Sequence, residues 1–315
     1  MEVLICGSGA LGISIGASLL DSNFNVSFFA QGKTKEAMEE EGIHRRGLFK
    51  ALDFTPEKFK VFDSYSKIKD KFDYILVCAK TTSNEDISKN LSENKHLLKD
   101  NGKIVIFQNG WHTDKEYLKY FSKEQVYSAR VITGFTRPER NISEITVHSA
   151  PILIGSLYGY GTDKIEQLTN GINKGGIPCE VTDEVAKALW AKMLYNCTLN
   201  PLGAILRVNY GKLAECENSK FIMDKVIEEI FEVIKASNNT TYWENAEEYK
   251  KEFYEKLVPS TFEHRASTLQ DIERKIKTEI DTLTGSIIKL GKEYGIETPY
   301  NIVIYNIIKA LEFNF

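Results

Sequence analysis

The stretch with the clearest chemical potential is Leu189-Trp190-Ala191-Lys192-Met193-Leu194-Tyr195-Asn196-Cys197-Thr198-Leu199-Asn200-Pro201-Leu202. One ammonium and two amides stand there among apolar neighbours. Lys192, Asn196 and Asn200 are spaced i, i+4 and i+8. At 3.6 residues per turn each step drifts by only about 40°, so the three side chains share one helix face. Taking an ammonium out of water is costly, so a lysine in this setting is expected to have a lowered pKa. That suits a general acid working near neutral pH. The two amides would hold a carboxylate or hydroxyl in register beside it. The competing account is plainer: Lys192 runs its stem out to water, and the asparagines pair with backbone.

A second cluster is Gly7-Ser8-Gly9-Ala10-Leu11-Gly12. It follows an apolar strand candidate at residues 3–6 and opens a helical pattern at residues 11–21. In that context Gly7 permits a tight turn, Gly9 lets backbone approach a pyrophosphate, and Gly12 lets helix and strand pack closely. The helix start offers unpaired N–H groups and the positive end of its dipole to phosphates. The end of the next strand chooses between the nicotinamide dinucleotides: an acid there accepts from the ribose 2′-OH, whereas a base favours a 2′-phosphate. The segment reads Phe29-Ala30-Gln31-Gly32-Lys33, with no acid. Gln31 and Lys33 therefore lean toward NADP, unless Lys33 is simply a solvated loop lysine. Lys80, after an apolar run at residues 74–79, and Asn109-Gly110, after another at 103–107, fall at strand ends, where ligands of open parallel sheets bind. Each is also compatible with an ordinary surface lysine and an ordinary turn.

Two further residues are ambiguous alone. Ser267-Thr268-Leu269-Gln270 fits a capping box, so Ser267 is either a helix cap or a polar contact. Glu279, flanked by Thr278 and Ile280, reads as mid-helix.

These residues need elements to position them. Strand candidates at 3–6, 25–29, 74–79 and 103–107 alternate with helical patterns at 11–21 and 84–98, which implies parallel βαβ units. Strands at 126–133, 144–147 and 152–154 are expected to close the sheet. Beyond Gly161 the strand signal nearly vanishes, and 164–173, 184–206, 221–237, 243–257, 267–290 and 301–311 carry helical periodicity. The expected fold is α/β: a Rossmann-type, mostly parallel sheet domain over 1–161, then an all-helical domain over 162–315 that holds the substrate and catalytic groups. The apolar faces of 184–206 and 267–290 would build either that domain's core or a homodimer face.

Composition narrows the classes. The 315 residues, 42% hydrophobic and 27% charged, can bury a core, with a length suited to about two domains. Forty basic against forty-four acidic side chains give a net charge of −4, which argues against a nucleic-acid partner. Five scattered cysteines without a CxxC, and five dispersed histidines, suggest reduced thiols and no metal site. The N-terminus lacks a basic region before its apolar stretch, and no run of about 18 apolar residues exists. A cytoplasmic protein without membrane association is expected.

Taken in order, GSGALG, Val77-Cys78-Ala79-Lys80, Gln108-Asn109-Gly110, Trp190-Ala191-Lys192, Asn196 to Leu202, Ser267 to Asp271, Thr278-Glu279-Ile280-Asp281 and Gly295-Ile296 before Pro299 resemble the ketopantoate reductase family (2-dehydropantoate 2-reductases) through almost the whole chain. The resemblance implies NADPH-dependent reduction of a small branched 2-oxo acid in pantothenate biosynthesis. It implies that Lys192 is the proton donor to the substrate carbonyl and that Glu279 sits by Lys192 and the nicotinamide. Asn109 would lie between cofactor and substrate, with Lys80 bordering the cofactor and Asn196, Asn200 and Ser267 on the substrate. Two positions depart from the family: Gln31 stands where Arg is frequent, with Lys33 as candidate substitute. Tyr210 stands where a substrate-contacting Asn is expected, and Asn209 is one place early. A related NAD(P)H-dependent reductase of another 2-oxo acid or imine is the nearest alternative. A non-catalytic dinucleotide sensor is the more distant one, since it has no need of Lys192, Asn196, Asn200 and Glu279.

Overall fold

A computed structural model describes all 315 residues. The chain divides into two compact units, Met1–Gln108 with Thr113–Val185, and Asn109–His112 with Ala186–Phe315.

The first unit contains strands β1 (Glu2–Cys6), β2 (Asn25–Phe29), β3 (Ile43–Gly47), β4 (Leu52–Phe54), β5 (Lys60–Phe62), β6 (Phe72–Val77), β7 (Leu98–Ile106), β8 (Val126–Arg130), β9 (Thr133–Thr136), β10 (Ile142–His148), β11 (Ile152–Gly155) and β12 (Cys179–Val181). Its helices are α1 (Ala10–Asp21), α2 (Gly32–Glu41), α3 (Asn84–Glu93), the single turn α4 (Lys115–Leu118) and α5 (Glu166–Lys174). An eight-stranded sheet runs in the order β12-β11-β8-β7-β6-β1-β2-β5. Every pairing in it is parallel except that of β8 with β11. The alternation of side chains along a strand splits its core in two. Val3 and Ile5 of β1 pack with Ile13 of α1 and Phe28, while Leu4 and Cys6 pack with Ile75, Val77 and Ile87 on the other face. Burial on both faces explains why residues 3–6 of β1 and 74–77 of β6 read as unbroken apolar runs.

Three expectations are corrected here. The sheet domain continues past Gly161 to Val185, because α5 and β12 belong to it; β12 extends the sheet from β11 but is only three residues long. The strand expected at 144–147 does not close the main sheet. It belongs to β10, which pairs parallel to β3 and antiparallel to β9 in a separate four-stranded sheet ordered β4-β3-β10-β9. Likewise the run at 126–133 is divided: β8 ends at Arg130, and Thr133 already starts β9 in the other sheet. β3 went unread because its sequence is Ile-His-Arg-Arg-Gly. Arg45 is fully buried, its guanidinium donating to Ser18 Oγ (2.5 Å) and the Lys50 carbonyl (2.8 and 3.2 Å).

The second unit is helical: α6 (Val185–Leu206, its first residue still in the sheet unit), α7 (Tyr210–Glu215), α8 (Glu217–Ala236), α9 (Ala246–Glu252), the short α10 (Val258–Ser260), α11 (Ser267–Glu273), α12 (Thr284–Tyr294) and α13 (Pro299–Glu312). On α8 the buried stripe Met223, Val226, Ile227, Ile230 and Ile234 recurs every three or four residues. The apolar residues of α6, such as Trp190, Leu194 and Leu199, are buried within the single chain. The helix expected over 267–290 is interrupted. Lys275 adopts φ 54°, and Lys275 N–H and Ile276 N–H close back on the Ile272 and Asp271 carbonyls at 3.0 and 2.9 Å. This is a Schellman-type stop with a lysine where glycine is usual, so periodicity alone runs straight through it.

Candidate active site

The glycine loop uses backbone geometry. Gly7 has φ 111°, and a Cβ there would lie 2.3 Å from the Ala79 nitrogen, inside the turn after β6. Only glycine fits. A Cβ on Gly12 would lie 2.1 Å from the Gly7 carbonyl oxygen. At Gly9 the opposite holds: nothing lies within 4 Å of an added Cβ. Gly9 is also the N-cap of α1, with no side-chain cap and no acid in the first turn. The positive end of α1 therefore opens into free space, as a phosphate-binding turn requires.

That space is a cavity of about 530 Å³ lined by Gly7, Ser8, Gly9, Gln31, Tyr65 and Ala79 among others. It sits at the carboxyl ends of β1, β2 and β6, the ligand edge of an open parallel sheet. The residues present fit a dinucleotide's phosphates and adenosine. Ser8 Oγ donates to the Phe29 carbonyl at 3.0 Å, and Tyr65 stacks on Phe29 with ring centroids 4.1 Å apart. Gln31 lines the cavity, whereas Lys33 is exposed and lies outside the lining. Ala10, Leu11 and Gly12 form the first turn of α1 behind the loop. Lys80 follows Ala79 as the N-cap of the short turn Thr81–Ser83. Asp63, after β5, also lines the cavity; Lys35 and Lys67, at 2.8 and 2.9 Å, hold its carboxyl down at about 2. Among the lining residues that sequence reasoning missed is Arg137, from the turn between β9 and β10. No local motif marks it, because the small sheet carries it there.

The second cluster lies in the helical unit. Lys192 Nζ donates to Asn109 Oδ1 at 2.5 Å, and Asn109 Nδ2 donates to Glu279 Oε2 at 3.0 Å. Three residues far apart in sequence thus form one chain of ammonium, amide and carboxylate. The amide can face only one way, since its oxygen must meet the donor and its NH2 the acceptor. Asn109 belongs to the helical unit although it follows β7, and Gly110 at φ 107° makes the turn, its Cα facing the Thr282 carbonyl. Trp111 N–H donates to that carbonyl at 3.0 Å, and the Trp111 and Trp190 rings meet at 4.7 Å. Glu279 is not mid-helix. It stands in the turn between α11 and α12, where its carbonyl accepts from the Thr282 and Leu283 N–H groups at 3.1 Å each. Glu312, at the end of α13, holds this turn by accepting from Thr278 N–H (2.8 Å) and Thr278 Oγ1 (2.6 Å).

On α6, Asn196 is half-buried and Asn200 is buried. Tyr210 donates its hydroxyl to Asn200 Oδ1, which leaves the Asn200 NH2 as the free donor. Burial pushes the Tyr210 phenol far up, so it stays a neutral donor. Ser267 does not cap α11: Ala266 is the N-cap, and Ser267 is an exposed first-turn residue without a capping bond. No group of three His, Cys, Asp or Glu is placed to hold a metal, and all five cysteines are free. No helix is long and apolar enough to cross a membrane.

Comparison with known proteins decides the family. Residues 3–159 match the family model described as ketopantoate reductase PanE/ApbA, and residues 184–312 match that of the ketopantoate reductase PanE/ApbA C terminal. The chain belongs to the ketopantoate reductase family. It is an oxidoreductase of that dinucleotide-binding family. A 2-dehydropantoate 2-reductase of Aquifex aeolicus is 34% identical, over 99% of this chain and 97% of its own. One from Archaeoglobus fulgidus is 27% identical, over 99% and 98%. Among solved structures, a PanE/ApbA family ketopantoate reductase from Ralstonia eutropha superposes with a TM-score of 0.86 at 24% identity, over 100% and 99% of the two chains. A D-mandelate dehydrogenase solved with NADH and anilino(oxo)acetate gives 0.86 at 22%, over the same shares. At these identities the two structures speak to the fold, an N-terminal Rossmann-like domain followed by a helical domain.

Proposed function

We propose that this member of the ketopantoate reductase family reduces 2-dehydropantoate, a small branched 2-oxo acid, to pantoate with NADPH, in the cytoplasm on the pantothenate pathway. The observation that carries the reading is the Lys192–Asn109–Glu279 chain, because it holds a proton-bearing ammonium in one orientation. The residues of the glycine loop, with Gln31 and Lys80, would hold the dinucleotide, whose reduced nicotinamide supplies the hydride. Lys192 Nζ donates a hydrogen bond to the carbonyl oxygen and passes it a proton as negative charge develops. Asn109 Oδ1 aims that ammonium, and Glu279 fixes the Asn109 amide from behind. The NH2 groups of Asn196 and Asn200 and the Ser267 hydroxyl donate to the substrate's carboxylate and hydroxyl. Asn200 is suited to this because Tyr210 already occupies its oxygen.

The test is NADPH oxidation with 2-dehydropantoate by the wild type and Lys192→Ala. The variant is expected to lose about 10²–10⁴ in turnover, the range for a general acid, while binding NADPH within about twofold of wild type. Equal turnover in the two proteins would remove Lys192 from the mechanism. A second reading, reduction of a different 2-oxo acid, is favoured by Tyr210, which stands at the sequence position of an expected asparagine, and by the likeness to a D-mandelate dehydrogenase. The same assay run over 2-oxo acids with NADPH and NADH separates the two.

A further inference from the structure

The 2′ position of the adenosine ribose distinguishes the two nicotinamide dinucleotides, and the residues nearest the end of β2 do not explain how this chain would read it. Gln31 carries no charge, and Lys33 lies outside the cavity lining. We propose that Arg137, with Thr34, is the receptor for a 2′-phosphate and sets the preference for the phosphorylated dinucleotide. The inference rests on the dinucleotide reading of the cavity given above.

Both residues line that cavity. Arg137 Nη2 donates to Thr34 Oγ1 at 3.0 Å, and Nε and Nη2 donate to the Arg140 carbonyl. These bonds pin the guanidinium plane and leave the Nη1 edge without a partner inside the protein. Its partners are all neutral, so its charge is uncompensated by any bonded carboxylate. Burial, and then the neighbouring Arg140, push its pKa down, the opposite of what an ion pair does. It nonetheless stays charged, as arginine does in proteins. Thr34 sits in the first turn of α2, a ten-residue helix that begins without a side-chain cap or an acid in its first turn. A pinned guanidinium edge, a hydroxyl and a positive helix end thus meet on one wall, the donor set that a phosphate monoester recognises.

Two acids also line the cavity, Asp63 and Asp86. Asp63 is the one that would repel a 2′-phosphate, since it follows β5, the neighbour of β2. Its charge is already met by Lys35 and Lys67 at 2.8 and 2.9 Å. Asp86 stands on α3, beside Ser83 and Asn90 in the lining. Arg137 therefore decides the sign of the field at the wall it shares with Thr34.

The experiment is calorimetric titration of the 315-residue chain with NADPH, NADH, adenosine 2′,5′-bisphosphate and 5′-AMP. For Arg137→Met, NADPH and the bisphosphate are expected to bind about 10- to 100-fold more weakly, the value of one charged hydrogen-bonded contact. NADH and 5′-AMP should move by no more than about twofold. Arg137→Lys, which keeps the charge and loses the fork, should fall between. The inference is overturned if Arg137→Met keeps its NADPH preference, if NADH weakens by the same factor, or if Lys33→Ala alone abolishes the preference. It is also overturned if the wild type binds both dinucleotides equally. A wild type that binds NADPH tightly through Arg137 but leaves 2-dehydropantoate unreduced would sink the proposed reaction and leave this inference standing.

Discussion

At residues 7–12 the groups offered to a ligand are backbone N–H donors, and the side chains matter chiefly by their absence. Around Lys192 the groups are side chains, delivered by α6, by the excursion Asn109–His112 and by the turn before α12. The first site is local in sequence and its parts are fixed by sterics. The second is assembled from three distant segments and fixed by hydrogen bonds. Steric sites fail completely when changed, whereas hydrogen-bonded ones fail by degrees, and the two sites should differ accordingly.

The sharpest attempt to break this contrast is Gly7→Val. The substitution forces a β-branched residue to φ 111° and drives a Cβ to 2.3 Å from the Ala79 nitrogen. Strain and overlap together should cost about 3 kcal/mol or more and abolish measurable NADPH binding. Thermal melting and dinucleotide titration read both effects. A folded variant with wild-type NADPH affinity would show that the loop is not built by sterics.

Glu279→Gln tests the other side with a smaller change. Glutamine still accepts from Asn109 Nδ2, so the amide keeps its orientation, but the negative charge behind it is gone. Turnover should fall about tenfold, near 1.4 kcal/mol, with KM, NADPH affinity and melting temperature little altered. A matching rise in KM or a drop in melting temperature would mean that Glu279 serves the fold of its turn and not the aim of Lys192.

The same contrast explains what could be read from the sequence. The glycine loop was legible because its pattern is local: three glycines at fixed spacing within one strand-turn-helix, although the neighbour that confines Gly7, Ala79, comes from outside it and Gly9 has none. Lys192, Asn196 and Asn200 were legible as one helix because their spacing is regular. Glu279 was misplaced because the stop before it uses Lys275 in a left-handed conformation, which no composition rule anticipates. Arg137 was invisible for a different reason. Its position depends on the small sheet, and that sheet was hidden by β3, where a fully buried arginine imitates a polar loop. Asn109 was found at a strand end, yet its place in the helical unit follows from Gly110 and Thr282 and not from the strand.

The mildest effect concerns the support of the Glu279 turn. Glu312 accepts twice from Thr278 and pairs with Lys309 at 3.0 Å. Burial pushes its carboxyl up, but Thr278 and Lys309 together outweigh that and bring it below the ordinary 4.5. A carboxyl depressed in the folded state binds fewer protons there than in the unfolded chain. Its contribution is therefore complete above pH 4.5 and is lost as the pH falls through the lower folded value. Glu312→Gln keeps an acceptor for Thr278 and loses the charge, so it should melt about 1–3 °C below wild type at neutral pH. The gap should close as the pH falls below the ordinary 4.5 and through the lower folded value, because protonation makes the wild type resemble the variant. Melting curves of both proteins across pH 3–7 give the answer: a gap independent of pH would assign Glu312 a role through shape alone, and the turn that carries Glu279 would then be held, like the glycine loop, by sterics.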